Sequence, residues 1–180
     1  MVGHLPALRR YALGLTGDRH TADDLVQDCI ERSLRGIDTL VDEQRLGSWL
    51  RSILFNVFID GRRSSRSRGE IVEEGVLDDL VDTATRPDVR QEANEVLRAT
   101  AALTPPHRRV LLLVAAEGLT YREVAEELGV PIGTVMSRLA RAREQLRDAL
   151  TDRSTRISVS ASQGAPQGVS QGMPPGGRAR

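Results

Sequence analysis

Apolar residues recur every three to four positions along most of this chain and nowhere alternate over the length of a strand, so the fold must come from packing amphipathic helices. Leu5, Leu8, Ala12 and Leu15 form the first stripe. Thr21 stands as an N-cap before the second, made of Ala22, Leu25, Val26, Cys29, Ile30, Ser33 and Leu34, which Gly36 stops. A third helix is predicted after Ser48, with Trp49, Leu50, Ile53, Leu54, Val57 and Phe58 on a broad apolar side and an end near Gly61. A fourth runs from Pro87 or Gln91 to Ala102. Thr104 followed by Pro105 starts a fifth, apolar over 110–116 and ended by Gly118. Thr120 and Glu123 are spaced as a capping box for a short helix to Leu128, and Gly129-Val130-Pro131 turns the chain into a final helix over 132–150. Those last elements have the pattern of a helix-turn-helix.

Charge matters here through its distribution. The chain has 25 arginines, no lysine and 25 acids, so bulk charge predicts no polyanion partner, and the all-arginine usage fits the bias of a GC-rich genome. Residues 1–61 hold 7 Arg against 9 acids, 62–68 hold 4 Arg and no acid, 69–100 hold 3 Arg against 9 acids, and 101–150 hold 7 Arg against 6 acids. The acidic stretch 70–90 carries no sustained period and reads as a flexible linker. From Thr151 onward Ser, Gly, Gln and Pro dominate, a composition that cannot offset ordering entropy and predicts disorder. The expected organisation is a helical domain over 1–68, a linker over 69–90, a helix-turn-helix domain over 91–150 and a disordered tail over 151–180.

Several function classes drop out. With aromatic residues at 3%, stacking platforms for single strands are few. Cys29 is the one cysteine, and His4, His20 and His107 are scattered, so no disulfide, metal site or nucleophilic constellation is expected: no enzyme, no cofactor, no metal. No apolar run is long enough for membrane insertion, and Arg9 and Arg10 interrupt the first stripe, unlike a signal peptide. A cytoplasmic location is expected.

In the final helix, at 100° per residue, Val135, Leu139, Ala142 and Leu146 share a narrow stripe that must face a core. Thr134, Ser137, Ala140, Arg141 and Glu144 then point outward with Met136 and Arg138 on the flanks, and the first half of this set is where a major-groove helix places base contacts. A solvated helix whose arginines pair with Glu144 and Asp148 is the competing reading. The capped helix, glycine turn and patterned second helix, all in register, favour the groove. The run Arg62, Arg63, Arg66 and Arg68 suits phosphate contacts or a plain basic linker. Asp23, Asp24, Asp28 and Glu31 line one face of the second helix, as a solvated face or a docking surface. Trp49 reads as a core anchor, Asn56 has no evident local reason to be polar, and Cys29 faces a core.

Taken together, these segments resemble the extracytoplasmic-function (group 4) sigma factors of bacterial RNA polymerase over residues 1–150. D-D-L-V-Q-D-C-I-E-R at 23–32 resembles conserved regions 2.1 to 2.2 of that family, and S-W-L-R-S-I-L-F-N-V-F-I-D-G-R-R at 48–63 resembles regions 2.3 and 2.4. The run from L-T-P-P-H-R-R-V-L-L-L to G-T-V-M-S-R-L-A-R-A-R is similar to regions 4.1 and 4.2.

The resemblance implies an all-α protein, with a region 2 bundle and a region 4 helix-turn-helix, that acts as a dissociable promoter-specificity subunit. Asp24, Gln27, Asp28 and Glu31 would bind core RNA polymerase at the clamp helices of its β′ subunit. The loop 37–47, with Leu40 and Val41, would hold a flipped base of the minus-ten element beside Trp49, Ser52 and Asn56, where an unstacked base exposes its pairing edge. Arg62, Arg63 and Arg66 would grip phosphates there. Thr134, Met136, Ser137, Arg138 and Arg141 would meet the minus-thirty-five element, with small or apolar Met136 and Ala140 leaving readout to Ser137, Arg138, Arg141 and DNA shape. An anti-sigma factor would clamp the two halves together. A stand-alone helix-turn-helix regulator and a sigma-like decoy for an anti-sigma factor are the competing functions.

Overall fold

The computed structural model describes residues 2–67 and 87–162. Among these there is no strand; the regular structure is seven α-helices and three single turns of 3-10 helix. The first half is α1 (Leu5–Thr16), α2 (Arg19–Arg35) and α3 (Leu46–Ser67). Leu8, Tyr11, Ala12 and Leu15 of α1 are buried in one core with Ala22, Leu25, Val26 and Cys29 of α2 and Leu50, Leu54 and Val57 of α3, as the spacing requires. The Cys29 thiol is fully buried and lies 3.4 Å from the Leu50 carbonyl oxygen, to which it donates; burial pushes its pKa up to about 11.

Two boundaries differ from the sequence expectation. The cap of α2 is Asp18 and not Thr21: Gly17, in the left-handed region at φ 73°, ends α1, and the Asp18 carboxylate then accepts the Thr21 backbone N–H at 2.7 Å. Helix α3 begins at Leu46 and passes through Gly61 to Ser67, so Arg62, Arg63 and Arg66 stand on the helix and do not follow it. A mid-helix glycine costs only about 1 kcal/mol relative to alanine. Arg62 lies one turn beyond Phe58 with its guanidinium 5.7 Å from the ring centroid, and the Ser67 hydroxyl donates to the Arg63 carbonyl at 3.1 Å. Arg68 and most of the acidic stretch expected to be a linker lie outside the described residues.

The second half is α4 (Pro87–Ala101), α5 (Pro105–Ala115), α6 (Tyr121–Leu128) and α7 (Ile132–Ser162). The capping box is present, Thr120 and Glu123 each satisfying the other's backbone N–H, and Gly129 closes α6 at φ 62°. Val135, Leu139 and Ala142 are buried, as their stripe demands. Helix α7 continues past the expected end at Leu150 to Ser162: the Thr151 hydroxyl donates to the Arg147 carbonyl at 2.9 Å, and neither glycine nor proline occurs between Leu150 and Gly164. The disorder expected of the tail concerns, beyond Ser162, residues outside those described.

Replacing Asp18 by alanine removes the α2 cap and lowers unfolding stability by about 1 kcal/mol. Burial works against the Asp18 charge, but hydrogen bonds from Thr21 outweigh it and hold the carboxyl below its ordinary value. The capping contribution is therefore complete above the ordinary aspartate range and is lost as the pH falls through the lowered value. Urea unfolding of both proteins across that range checks it: the gap in stability closes in acid.

Candidate nucleic-acid interface

Helix α7 presents the outward set as the periodicity placed it except at two positions: Thr134, expected outward, lies at the edge, and Met136, expected on a flank, is open. Ser137, Ala140, Arg141 and Glu144 are exposed, Thr134 and Arg138 are half-buried at the edges, and Met136 is 54% exposed. The capping box fixes the start of α6 and the left-handed Gly129 fixes the angle at which α7 leaves it. The first turns of α7 thus project from the body on a rigid support. No carboxylate within ion-pairing distance of Arg138 or Arg141 occurs among the described residues, so the competing picture of arginines spent on Glu144 and Asp148 is not what this helix shows.

On the first half, Asp24, Gln27, Asp28 and Glu31 are all exposed along α2, opposite its buried stripe. His20 lies 3.1 Å from Asp24, and Glu31 receives hydrogen bonds from Gln27 and Arg35, each at 3.4 Å. The loop that follows is two single turns, Ile37–Thr39 and Glu43–Arg45, with Leu40 half-buried and Val41 99% exposed between them. Trp49 packs against the core beside this loop. Asn56 is exposed on α3, and Arg62, Arg63 and Arg66 extend the same helix into solvent. Ser52, one turn before Asn56, is not open: its hydroxyl accepts a hydrogen bond from Arg109 of the second half at 3.4 Å.

That contact belongs to a seam of charge between the halves which the sequence pattern does not reveal. Arg51 forks onto Glu127, Nη2 to Oε2 at 2.5 Å and Nε to Oε1 at 3.2 Å, with Glu117 at 3.8 Å. Burial opposes the Arg51 charge, yet the Glu127 and Glu117 carboxylates outweigh it and hold the guanidinium more firmly protonated than usual. Arg10 reaches Glu117 at 3.8 Å. Arg109 stacks on Phe55 with 4.2 Å to the ring centroid. Arg108 is 2% exposed: one Nη donates to the Leu15 carbonyl at the end of α1, the other to the Leu103 carbonyl at 2.9 Å, and its guanidinium lies 5.6 Å from the Phe58 centroid. Beside this seam the buried Tyr11 phenol is raised well above its ordinary value by desolvation, against the pull of Arg109.

Two signals could have found the seam. His107 and Arg108 sit in the first turn of α5 and Arg109 just after it, near the end where the helix dipole disfavours cations, so their partners are to be sought outside their own helix. Gly14 sits inside α1, where a Cβ would run into the Leu112 side chain of α5, so glycine permits the close approach.

Among the described residues no cluster of metal-ligating side chains occurs, and no helix is long and apolar enough to cross a membrane. The arrangement is that of a DNA-binding regulator with a helix-turn-helix in its second half. Residues 93–146 match the family described as Sigma-70, region 4, and residues 1–59 match the Sigma2 domain of PhyR. The chain is 34% identical over 142 residues to the ECF RNA polymerase sigma factor EcfG of Rhodopseudomonas palustris, spanning 79% of this chain and 78% of that protein. It is equally 34% identical to the ECF RNA polymerase sigma factor SigL of Mycobacterium tuberculosis, over 76% of this chain and 78% of the relative. The sigma factor RpoE of Bartonella quintana, solved in complex with the anti-sigma factor NepR, superposes with a TM-score of 0.66 at 31% identity, covering 83% of this chain and 93% of that one. The chain belongs to the ECF RNA polymerase sigma factors.

Arg108→Ala strips the Leu15 and Leu103 carbonyls of a charged donor and empties a packed site. It is expected to cost about 2–3 kcal/mol of unfolding stability, measured by urea titration, on the scale of buried hydrogen bonds to a charged group. Arg138→Ala, on the half-exposed flank of α7, is expected to stay within about 0.5 kcal/mol of wild type.

Proposed function

We propose that this chain directs core RNA polymerase to promoters by reading two elements with two separate surfaces, residues 1–68 forming one domain and 91–150 the other. The observation that carries the reading is that one chain presents an open groove helix on a capped helix-turn-helix together with an exposed acidic helix and an exposed basic helix end. The first turns of α7 enter the major groove of the minus-thirty-five element, where Ser137, Arg138 and Arg141 read base edges and phosphates while Thr134 and Met136 make the flanking contacts. Asp24, Gln27, Asp28 and Glu31 dock on basic groups of the β′ clamp helices. Leu40 and Val41 close over a flipped base of the minus-ten element, Ser52 and Asn56 read it from α3, and Arg62, Arg63 and Arg66 hold the backbone as the duplex opens. No chemistry of its own is required: capturing an unstacked base offsets part of the cost of melting. The work is done in the cytoplasm under an anti-sigma factor; the Bartonella relative, solved with NepR, supports that control.

Run-off transcription with purified core polymerase on promoter fragments tests the reading: a promoter-dependent transcript is expected, and tight sequence-specific binding by the free chain alone counts against it. Arg141→Ala weakens use of the minus-thirty-five element by about 1–3 kcal/mol, whereas Asn56→Ala slows opening at the minus-ten element. Footprinting that gives both variants the same positional defect overturns the two-surface assignment. Asp24→Arg with Asp28→Arg abolishes capture of core polymerase in a pull-down while helicity is retained.

A further inference from the structure

We infer that the minus-thirty-five element is read along one edge of α7 by apolar contact: Ile132 and Met136 lie against thymine methyl groups in the major groove, and Gly133 lets the helix come close enough to reach them. The inference deepens the promoter reading above and rests on it. Ile132 is 47% exposed and Met136 54% exposed, one turn apart on the helix. Single apolar side chains in water need no explanation. Here two are neighbours, and Ala140, a further turn on, is exposed as well. Each of the three is turned about 40° further from the buried stripe of Val135, Leu139 and Ala142 than the one before, so they form a band running from the edge of the core onto the open face.

The rest of the same face indicates what covers this band. Arg138 and Arg141 stand toward the opposite edge, and no carboxylate among the described residues lies within ion-pairing distance of either. A polyanion satisfies the cations, and duplex DNA also offers protruding apolar groups, the thymine C5-methyls, in a groove wide enough for a helix. Gly133 adds an independent sign. Its backbone is helical and not left-handed, and a Cβ there would meet nothing within 4 Å, so the fold gains nothing from a glycine in this first turn. A glycine that costs helix stability and permits no packing within the chain permits an approach from outside it. Side chains one turn apart are about 5–6 Å from Cβ to Cβ, and stacked bases lie about 3.4 Å apart. Ile132 and Met136 therefore meet thymines on adjacent or next-but-one base pairs, and the unbranched Met136 can adapt to either spacing.

Run-off transcription with core polymerase supplies the probe, a promoter fragment on which the full chain is active. Its minus-thirty-five thymines are then replaced one at a time by deoxyuridine, which removes the methyl and keeps every hydrogen-bonding group. At two positions, one or two base pairs apart, wild-type holoenzyme is expected to bind about fourfold more weakly, the scale of one buried methyl group. Met136→Ala and Ile132→Ala bind the thymine fragment more weakly, and each loses the methyl preference at its own position while keeping it at the other. A mere loss of fold stability would weaken all fragments alike and leave both preferences standing. Gly133→Ala is expected to raise the urea midpoint of the chain yet lower promoter binding. Deoxyuridine without effect at every thymine, an element with no thymine, or full methyl preference in both alanine variants overturns the methyl contact. A Gly133→Ala holoenzyme that binds as well as wild type overturns the close approach. A wild type that yields no promoter-dependent transcript removes the promoter reading itself, and this inference with it.

Discussion

The guanidinium of Arg108 is the contact on which the arrangement of this molecule turns. Moving such a group out of water costs several kcal/mol unless oxygen acceptors replace the lost hydration. Here the acceptors are the carbonyls of Leu15 and Leu103, the first at the C-terminal end of α1, where the helix dipole leaves a partial negative charge and free carbonyls. The first half supplies an unsatisfied helix end and the second half the cation that satisfies it. Phe58 closes the site from α3, so three helices from both halves meet at one side chain.

Around that point ion pairs stand beside apolar contacts such as Gly14 of α1 against Leu112 of α5. Arg10 and Arg51 face Glu117 and Glu127, and Arg109 covers Phe55. The all-arginine composition has a local use here, because a planar fork can pair bidentately with a carboxylate and stack on a ring, which an ammonium does poorly. The two halves share one cluster of buried apolar residues, and the charged contacts lie beside it.

Of the residues that the promoter reading uses, Asp24, Gln27, Asp28 and Glu31 on α2, Val41 in the loop and Met136, Ser137 and Arg141 on α7 are exposed, whereas Ser52 on α3 is half-buried against Arg109. A helix-turn-helix needs a rigid support, which the Thr120 and Glu123 box and Gly129 provide.

Local chemistry written along the chain settled much of this protein. The 3.6-residue period fixed the helices and their buried faces, the Thr120 capping box and Gly129 fixed the turn, and the stripe of α7 fixed which of its sides is buried, because each depends on residues within about two turns of one another. Where neighbours compete, the reading slipped: Asp18 displaced Thr21 as a cap because Gly17 ended the preceding helix, Gly61 failed to stop α3 because one residue's propensity is small against a whole helix, and α7 ran on because nothing before Gly164 breaks it. What only the tertiary structure decided was how the two halves meet. Arg51 and Glu127 lie 76 residues apart and Arg108 and Leu15 lie 93 apart, and no periodicity links them. A charged residue on a helix face is written the same way whether water or another helix lies opposite, and only the packed chain chooses between the two.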